Sequence, residues 1–191
     1  ELKCRSVNSC ESTWAPIFSL TIASIFSLSL SNYFCLSFTF LTIYVCFRSF
    51  DHIDGLITDA GFHVEIRRVV PDDLVTIVET LRLWSEQVDL ILTTGGTGFG
   101  PRDITPEATL AVLERQAPGL TEYMRSGTAN KTILSYLSRA VAGTRENCLI
   151  VNLPGRPDAV RECLELLLPL LPHAIETMQG PTQQHPQDLE K

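Results

Sequence analysis

A glycine-rich polar segment follows directly after an apolar run and carries the residues best suited to chemistry. It reads TTGGTGFGPRDITPEAT over residues 93–109, with four glycines inside six positions. Glycine tolerates a positive φ and lets backbone N–H groups approach a ligand that a β-carbon would obstruct. We therefore expect an anion cradle, although a solvated glycine-rich connector has the same composition. Arg102 and Asp103, beside the start of the next helix, favour the cradle.

A second polar turn follows a second apolar run. Residues 148–153 form this run, and the turn at 154–157 comes directly after it. Ligands of open α/β sheets bind beyond the carboxyl ends of strands, so the two turns together predict one cleft. Its candidate partners for phosphate or carboxylate groups are Arg102, Arg139 and Arg156. A surface ion pair explains any one of them alone, and the cleft hypothesis requires that they converge.

The standard nucleotide and metal motifs are absent from the sequence. The loop lacks the Gly-Lys-Ser/Thr of a P-loop, and the GGTG at residues 95–98 does not fit G-x-G-x-x-G. The six cysteines show no C-x-x-C pairing, and the four histidines are scattered. We therefore expect no structural metal, and we expect Cys148 and Cys163 to be reduced thiols in the core.

The periodicity beyond residue 50 predicts the elements that must position these residues. Helices are predicted over 53–60, from a cap at Asp72 or Asp73 to about residue 86, from an N-cap at Thr105 to about residue 115, and from Pro157 onward. Strands are predicted over 64–70, 88–93 and 148–153. This alternation of strands and helices indicates an α/β fold with a mostly parallel sheet.

The first 50 residues differ in composition from the rest of the chain. They contain none of the 11 glycines and seven of the nine phenylalanines, and residues 12–47 carry no charge. Three interpretations stay open: a membrane anchor, a buried segment, or a pyrimidine-rich non-coding tract read in frame. The last is considered because Phe, Ser, Leu, Cys and Tyr share codons that begin with U. We accordingly divide the chain into an atypical segment 1–50, a domain 51–180 and a disordered Gln/Pro-rich tail 181–191.

The charge of the chain excludes some partners. The net charge is −7 with a pI of about 5.1, and the part from Asp51 onward holds 12 basic and 20 acidic residues. Binding to a phosphate backbone requires a basic surface, so nucleic acid is not an expected partner. Any anion binding must come from local groups. We expect a cytoplasmic protein, unless residues 12–47 are a genuine anchor.

Four motifs together resemble the molybdopterin-binding family of molybdenum-cofactor biosynthesis, and within it molybdopterin adenylyltransferase and the gephyrin-type G domain. They are VVPDD at 69–73, the loop at 93–109, LSRAVAG at 137–143 and IVNLPGRPDAV at 150–160. The resemblance covers residues 53–180. It implies a three-layer α/β/α sandwich, commonly a homotrimer, that transfers AMP from Mg-ATP to the terminal phosphate of molybdopterin. A molybdenum-insertion protein is an implied partner.

The resemblance also implies roles for particular residues. Asp72 and Asp103 stand in the V-P-D and P-R-D motifs, so we expect both to be catalytic and to hold Mg²⁺ against phosphate oxygens. A helix cap is the alternative for Asp72, and a cap of its own turn is the alternative for Asp103. The matched motifs imply a set of residues that bind substrate or nucleotide: Thr94, Gly95, Gly96, Thr97, Gly98, Arg102, Ser138, Arg139, Asn152, Pro154 and Gly155.

The sequence departs from the family pattern at its N-terminal side. The family opens with a strand that ends in a Val-Ser-Asp type motif and continues into a polar loop on the nucleotide side of the site. Residues 43–47 are the candidate for this strand, but the motif and the loop do not follow them. The first strand and loop are thus missing or replaced, which predicts weak AMP transfer or none. Two functions stay open: an adenylyltransferase, and a non-catalytic module that binds molybdopterin or acts as a scaffold.

Overall fold

The computed structural model describes residues 39–44 and 50–180 of the chain. Its strands are β1 (Thr39–Tyr44), β2 (His63–Val69), β3 (Leu90–Thr94), β4 (Arg115–Gln116), β5 (Ala142–Arg145) and β6 (Cys148–Leu153). Its helices are α1 (Phe50–Asp59), α2 (Leu74–Ser85), α3 (Thr105–Leu110), α4 (Pro118–Thr128), α5 (Pro157–Leu167) and α6 (Leu171–Gln179), with a 3₁₀-helix at Ile133–Leu137. The expected tail at 181–191 and most of segment 1–50 lie outside the described residues. Among the helices of the described residues, none has the length and hydrophobicity of a membrane-spanning segment.

The strands form one six-stranded sheet in the order β2-β1-β3-β6-β5-β4. The first four strands of this order run parallel, and the two short strands β5 and β4 are antiparallel. β1 lies between β2 and β3, with Tyr44 opposite Val69 on one side and Thr94 on the other. The first strand of the sheet is therefore Thr39–Tyr44, starting four residues before the candidate at 43–47.

Two hydrophobic clusters cover the two faces of the sheet. Leu90 and Leu92 of β3 belong to one cluster and Ile91 to the other, because successive residues of a strand point to opposite faces. The first cluster includes buried residues of α1, α4, α5 and α6, and the second includes those of α2 and α3. Helices thus pack on both sides of the sheet, which confirms the expected three-layer α/β/α sandwich with a mostly parallel sheet.

The two cysteines of the described residues lie in this core. Cys148 and Cys163 are buried and free, as expected from the sequence. Burial raises the pKa of the Cys163 thiol to about 12, because a low-dielectric environment disfavours the thiolate. Both side chains therefore act as small apolar packing groups at neutral pH.

Helix α3 differs from its predicted form. Its N-cap is Ile104 and not Thr105, and no side-chain capping bond is made, because the Thr105 hydroxyl is buried beneath the preceding loop. The helix ends at Leu110, whereas the periodicity predicts an end near residue 115. Arg115 instead pairs with Thr144 in the antiparallel ladder of β4 and β5. Tertiary strand pairing has overridden the local helical pattern.

Candidate functional site

The two polar turns meet at one edge of the sheet. β3 and β6 are parallel neighbours, and their last residues, Thr94 and Leu153, stand opposite each other. The Gly95 N–H donates to the Leu153 carbonyl oxygen at 3.1 Å. A β-carbon on Gly155 would lie 3.2 Å from the Gly95 Cα. The backbones of the two turns are therefore in contact at the carboxyl ends of the strands, where α/β sheets bind their ligands.

Two glycines give the first loop a shape that other residues would not adopt. Gly95 and Gly96 have φ angles of 89° and 63°, a region that is costly for any residue with a β-carbon. A β-carbon on Gly96 would also lie 2.2 Å from Thr105 Oγ1. This hydroxyl is buried and has no hydrogen-bond partner among the described residues. The loop backbone thus packs directly onto the first residue of α3.

Asp103 is enclosed by the loop that precedes it. Its Oδ2 accepts a hydrogen bond from the Gly100 N–H at 2.7 Å, and a β-carbon on Gly98 would lie 2.8 Å from the same oxygen. The carboxylate therefore caps its own turn and also lines a cavity of about 350 Å³. We call this the polar cavity, and its lining residues are Asp72, Gly95, Gly96, Gly100, Pro101, Arg102, Asp103 and Gly155.

The adjacent carboxylates of Asp72 and Asp73 have different surroundings. Asp73 is the N-cap of α2, and its Oδ2 accepts the Thr76 hydroxyl at 2.7 Å and the Thr76 N–H at 2.8 Å. These two bonds lower the pKa of Asp73, because they stabilise its charged form. Asp72 lines the polar cavity together with Asp103. The sequence left the cap to either residue, and the structure assigns it to Asp73.

Arg139 donates hydrogen bonds to three carbonyl groups of the glycine-rich loop. Its backbone N–H donates to the Thr97 oxygen at 2.9 Å, and its Nε donates to the Gly98 oxygen at 2.6 Å. One terminal nitrogen donates to the Asp103 carbonyl oxygen, and the other pairs with the Glu107 carboxylate. The hydrogen bond from Arg139 lowers the pKa of Glu107. The sequence predicts a substrate contact for Arg139, and the structure shows contacts with the loop itself.

A second cavity of about 310 Å³ lies beside the polar cavity, and Gly155 lines both. We call it the apolar-walled cavity. Five of the predicted binding residues line it: Thr97, Gly98, Ser138, Pro154 and Gly155. Its remaining lining comes from α4, the 3₁₀-helix and α5 with their flanking residues: Thr121, Met124, Arg125, Thr128, Thr132, Leu134, Ser135, Leu137, Ala140, Arg156, Ala159, Glu162 and Cys163.

The charged groups at the two cavities differ in their availability to a ligand. Arg125 donates to two backbone carbonyls at 3.2 and 3.3 Å, and Glu162 pairs with Lys131 at 3.2 Å. Within residues 39–44 and 50–180, the side chains of Arg102 and Arg156 form no ion pair or hydrogen bond. The uncommitted guanidinium of Arg102 therefore borders the polar cavity, and that of Arg156 borders the apolar-walled cavity. Arg139 lines neither cavity.

Two predicted binding residues lie in the sheet and line neither cavity. Asn152 is fully buried, and its Nδ2 donates to the hydroxyls of Thr93 at 2.8 Å and Thr109 at 2.9 Å. Its Oδ1 accepts a backbone N–H at 3.2 Å. The Thr94 hydroxyl donates to the Pro154 carbonyl oxygen at 2.8 Å. The Asn152 side chain thus bonds β6 to β3 and α3, and the Thr94 side chain bonds β3 to the turn after β6. The sequence pattern alone did not indicate these contacts.

The carboxylates of the polar cavity are oxygen ligands of the kind that hard divalent cations such as Mg²⁺ prefer. No group of three or more His, Cys, Asp or Glu side chains suited to a metal occurs in the described part of the chain. Mg²⁺ prefers oxygen ligands, keeps several waters and is usually held by one or two carboxylates together with substrate phosphates. Asp72 and Asp103, which line one polar cavity, fit this requirement. Two carboxylates are too few to complete the coordination of Mg²⁺ without water or substrate oxygens.

Sequence reasoning missed the outer wall of the apolar-walled cavity. Met124 and Leu134 line it but belong to none of the motifs, and Leu137 begins the motif at 137–143 without being among the predicted binding residues. The available signals were the helical spacing after Pro118 and the apolar cluster at 133–137. Glu107 was also missed, although it lies within the motif at 93–109. These residues enter the site only through tertiary packing, which local patterns do not report.

The fold and the site define an α/β/α domain whose ligand cavities lie at the carboxyl edge of parallel strands. Comparison with known proteins gives its family. Residues 49–173 match the family model described as "Probable molybdopterin binding domain". The chain belongs to this family.

Named relatives share this region. The "Molybdopterin adenylyltransferase" of Helicobacter pylori strain J99 is 42% identical over 127 residues, which cover 65% of this chain and 70% of that protein. The "Molybdenum cofactor synthesis protein cinnamon" of Drosophila melanogaster is 46% identical over 112 residues, or 58% of this chain but only 19% of the relative. The crystal structure of the molybdopterin biosynthesis enzyme MoaB from Thermus thermophilus superimposes with a TM-score of 0.70 at 42% identity, and the match covers 77% of this chain and 99% of that one.

Proposed function

We propose that the chain acts in molybdenum-cofactor biosynthesis and transfers AMP from Mg-ATP to the terminal phosphate of molybdopterin. One observation carries the proposal. The polar cavity, with its two aspartates and an uncommitted Arg102, shares Gly155 with an apolar-walled cavity of similar volume. Two substrates bound side by side would meet at this glycine. The relatives named molybdopterin adenylyltransferase support the assignment.

The chemistry of the linings suggests which substrate each cavity takes. The triphosphate of ATP suits the polar cavity, because Arg102 and the loop backbone offer donors and the aspartates offer ligands for Mg²⁺. The pterin suits the apolar-walled cavity, where Met124 and Leu137 offer packing surface and Ser138 offers a polar contact. Its terminal phosphate would then lie near Gly155.

In the proposed reaction, a phosphate oxygen of molybdopterin attacks the α-phosphorus of ATP in line. A new phosphorus–oxygen bond forms, the bond to the bridging oxygen breaks, and pyrophosphate leaves. Asp72 and Asp103 would hold Mg²⁺, which when bound neutralises charge on the phosphate oxygens. Arg102 and the N–H groups of the loop stabilise the charge that develops on the transferred phosphoryl group. No covalent intermediate with the protein is required.

The presence of strand β1 is relevant to the expectation of weak AMP transfer, because that expectation rests on a first strand and loop that are missing or replaced. Although the Val-Ser-Asp motif is absent, Thr39–Tyr44 pairs with both β2 and β3 and completes the sheet beside the site. A strand is thus present between β2 and β3, with a sequence that lacks the family motif.

We also propose that the protein is a cytoplasmic homotrimer that passes its product to a molybdenum-insertion protein, a proposal that rests on family membership. Light scattering on the purified chain tests the trimer.

Three aspartate variants test the reaction. We expect Asp72→Asn and Asp103→Asn each to lower the turnover by about 100-fold, since each removes a carboxylate that would hold Mg²⁺ at the reacting phosphates. Asp73→Asn is the matched control, because asparagine also caps helices well and Asp73 lies outside the cavity lining. The measurement is the release of pyrophosphate from ATP that depends on molybdopterin.

The outcome also separates the two functions that the sequence leaves open. Molybdopterin binding without any AMP transfer by the unaltered chain would support the non-catalytic module and refute the proposed reaction. Unchanged turnover in Asp72→Asn would likewise show that the polar cavity is not the reaction site.

A further inference from the structure

Arg139 fixes both ends of the loop segment 97–103. Its backbone N–H and its Nε bond the carbonyls of Thr97 and Gly98, and its guanidinium also bonds the carbonyl of Asp103. The remaining terminal nitrogen is paired with the Glu107 carboxylate, and the Phe99 ring centroid lies 5.7 Å from the guanidinium carbon. Each of the three guanidinium nitrogens thus donates a hydrogen bond within the protein, and the charge is paired with a carboxylate.

These bonds determine the direction of the neighbouring N–H groups. In a planar trans peptide, the carbonyl and the N–H of the next residue point in opposite directions. Because the Thr97 and Gly98 carbonyls point to Arg139, the N–H groups of Gly98 and Phe99 point away from it. Neither group donates to an atom of residues 39–44 or 50–180. Thr97 and Gly98 line the apolar-walled cavity.

We infer that Arg139 and Glu107 are positioning residues, which orient the peptide N–H groups of Gly98 and Phe99 as the cradle for the substrate's phosphate. The inference rests on the proposed function for the class of substrate, a phosphorylated pterin. The phosphate is bound by the loop backbone and not by the Arg139 guanidinium. Glu107 acts indirectly, because its carboxylate holds the guanidinium in the plane that reaches the loop carbonyls.

The competing hypothesis is that Arg139 itself contacts the phosphate. The two hypotheses predict opposite effects of Glu107→Gln on phosphate binding. Glu107→Gln removes the carboxylate that neutralises the guanidinium. If Arg139 were the phosphate ligand, its freed charge would bind phosphate as tightly as before or more tightly. If it positions the loop, loss of its anchor weakens phosphate binding. The Glu107 side chain is 48% exposed, so this variant is expected to fold.

The experiment compares two fluorescent probes, 6-hydroxymethylpterin monophosphate and 6-hydroxymethylpterin. We expect Glu107→Gln to weaken binding of the phosphate ester about 10-fold and Arg139→Lys about 100-fold, magnitudes typical of small errors in positioning. Binding of the phosphate-free pterin is expected to stay unchanged in both. The matched controls are Glu165→Gln and Arg161→Lys, an exposed pair on α5 that lines neither cavity.

A second measurement reports on the loop itself. The Gly100 N–H, which donates to Asp103, is expected to exchange its hydrogen faster in Glu107→Gln than in Glu165→Gln. A phosphate-ester affinity in Glu107→Gln that is equal to or higher than that of the unaltered chain would overturn the inference and leave the proposed function standing. If the unaltered chain binds neither pterin, both the proposed function and the inference fail. If the unaltered chain prefers the phosphate ester over the phosphate-free pterin and Glu107→Gln loses this preference, the result supports the inference. This holds whether or not AMP is transferred.

Discussion

At the scale of the residue, the surroundings and not the side-chain type decide the role. Asp72 and Asp73 are neighbours with identical side chains, but one lines the polar cavity and the other caps α2. Arg102 and Arg139 differ in the same way, since the side chain of the first forms no bond within the described part of the chain and the second is bonded to the loop. A sequence motif identifies such residues as a group, and only their contacts separate those that meet a ligand from those that hold the site.

Asn152 provides a test at this scale. We expect Asn152→Ala to lower the free energy of unfolding by about 2–4 kcal/mol, because it removes the partner of the buried Thr93 hydroxyl and of the Val141 N–H, and the bond that the Thr109 hydroxyl accepts. Urea denaturation measures this change. Asn147→Ala, an exposed asparagine in the turn before β6, is the control and should change stability by less than about 0.5 kcal/mol. Equal small effects in the two variants would contradict the structural role of the Asn152 hydrogen bonds.

At the scale of the element, the glycine-rich loop depends on one close contact with α3. We expect Gly96→Ala to destabilise the fold by about 2 kcal/mol or more, because alanine must adopt a positive φ and its β-carbon overlaps the Thr105 hydroxyl. Thermal unfolding followed by circular dichroism measures this. The control is Gly55→Ala in α1, where nothing lies within 4 Å of the added carbon and alanine should stabilise the helix by about 0.5–1 kcal/mol. A Gly96→Ala protein as stable as the unaltered chain would contradict the contact.

The same scale shows what the sequence predicted. The strands at 64–70, 88–93 and 148–153 and the helix from Pro157 were predicted to within two residues, because periodicity and caps are local signals. The short strands β4 and β5 were not predicted, since two to four residues carry no measurable period. The contacts of Arg139 were not predicted either. They join it to loop residues that lie 36 and 41 positions away, and no local pattern reports such a distance.

At the scale of the whole molecule, the strand β1 restricts how residues 1–50 can be interpreted. Its backbone pairs with β2 on one side and β3 on the other. A membrane anchor over residues 12–47 would place the same backbone in a bilayer, where every N–H and C=O must be bonded within the segment. Residues 39–44 cannot do both. The sheet and an anchor of that length are mutually exclusive.

Two truncations decide between them. We expect a chain that starts at residue 36 to unfold cooperatively, because it keeps all six strands. A chain that starts at residue 51 removes β1 from between β2 and β3, which leaves β2 without a neighbour and exposes the backbone edge of β3. This second chain is expected to be insoluble or to lose its cooperative thermal transition. Circular dichroism during heating measures both. If the chain from residue 51 unfolds as cooperatively as the longer one, β1 does not belong to the sheet, and the atypical segment would extend through residue 50.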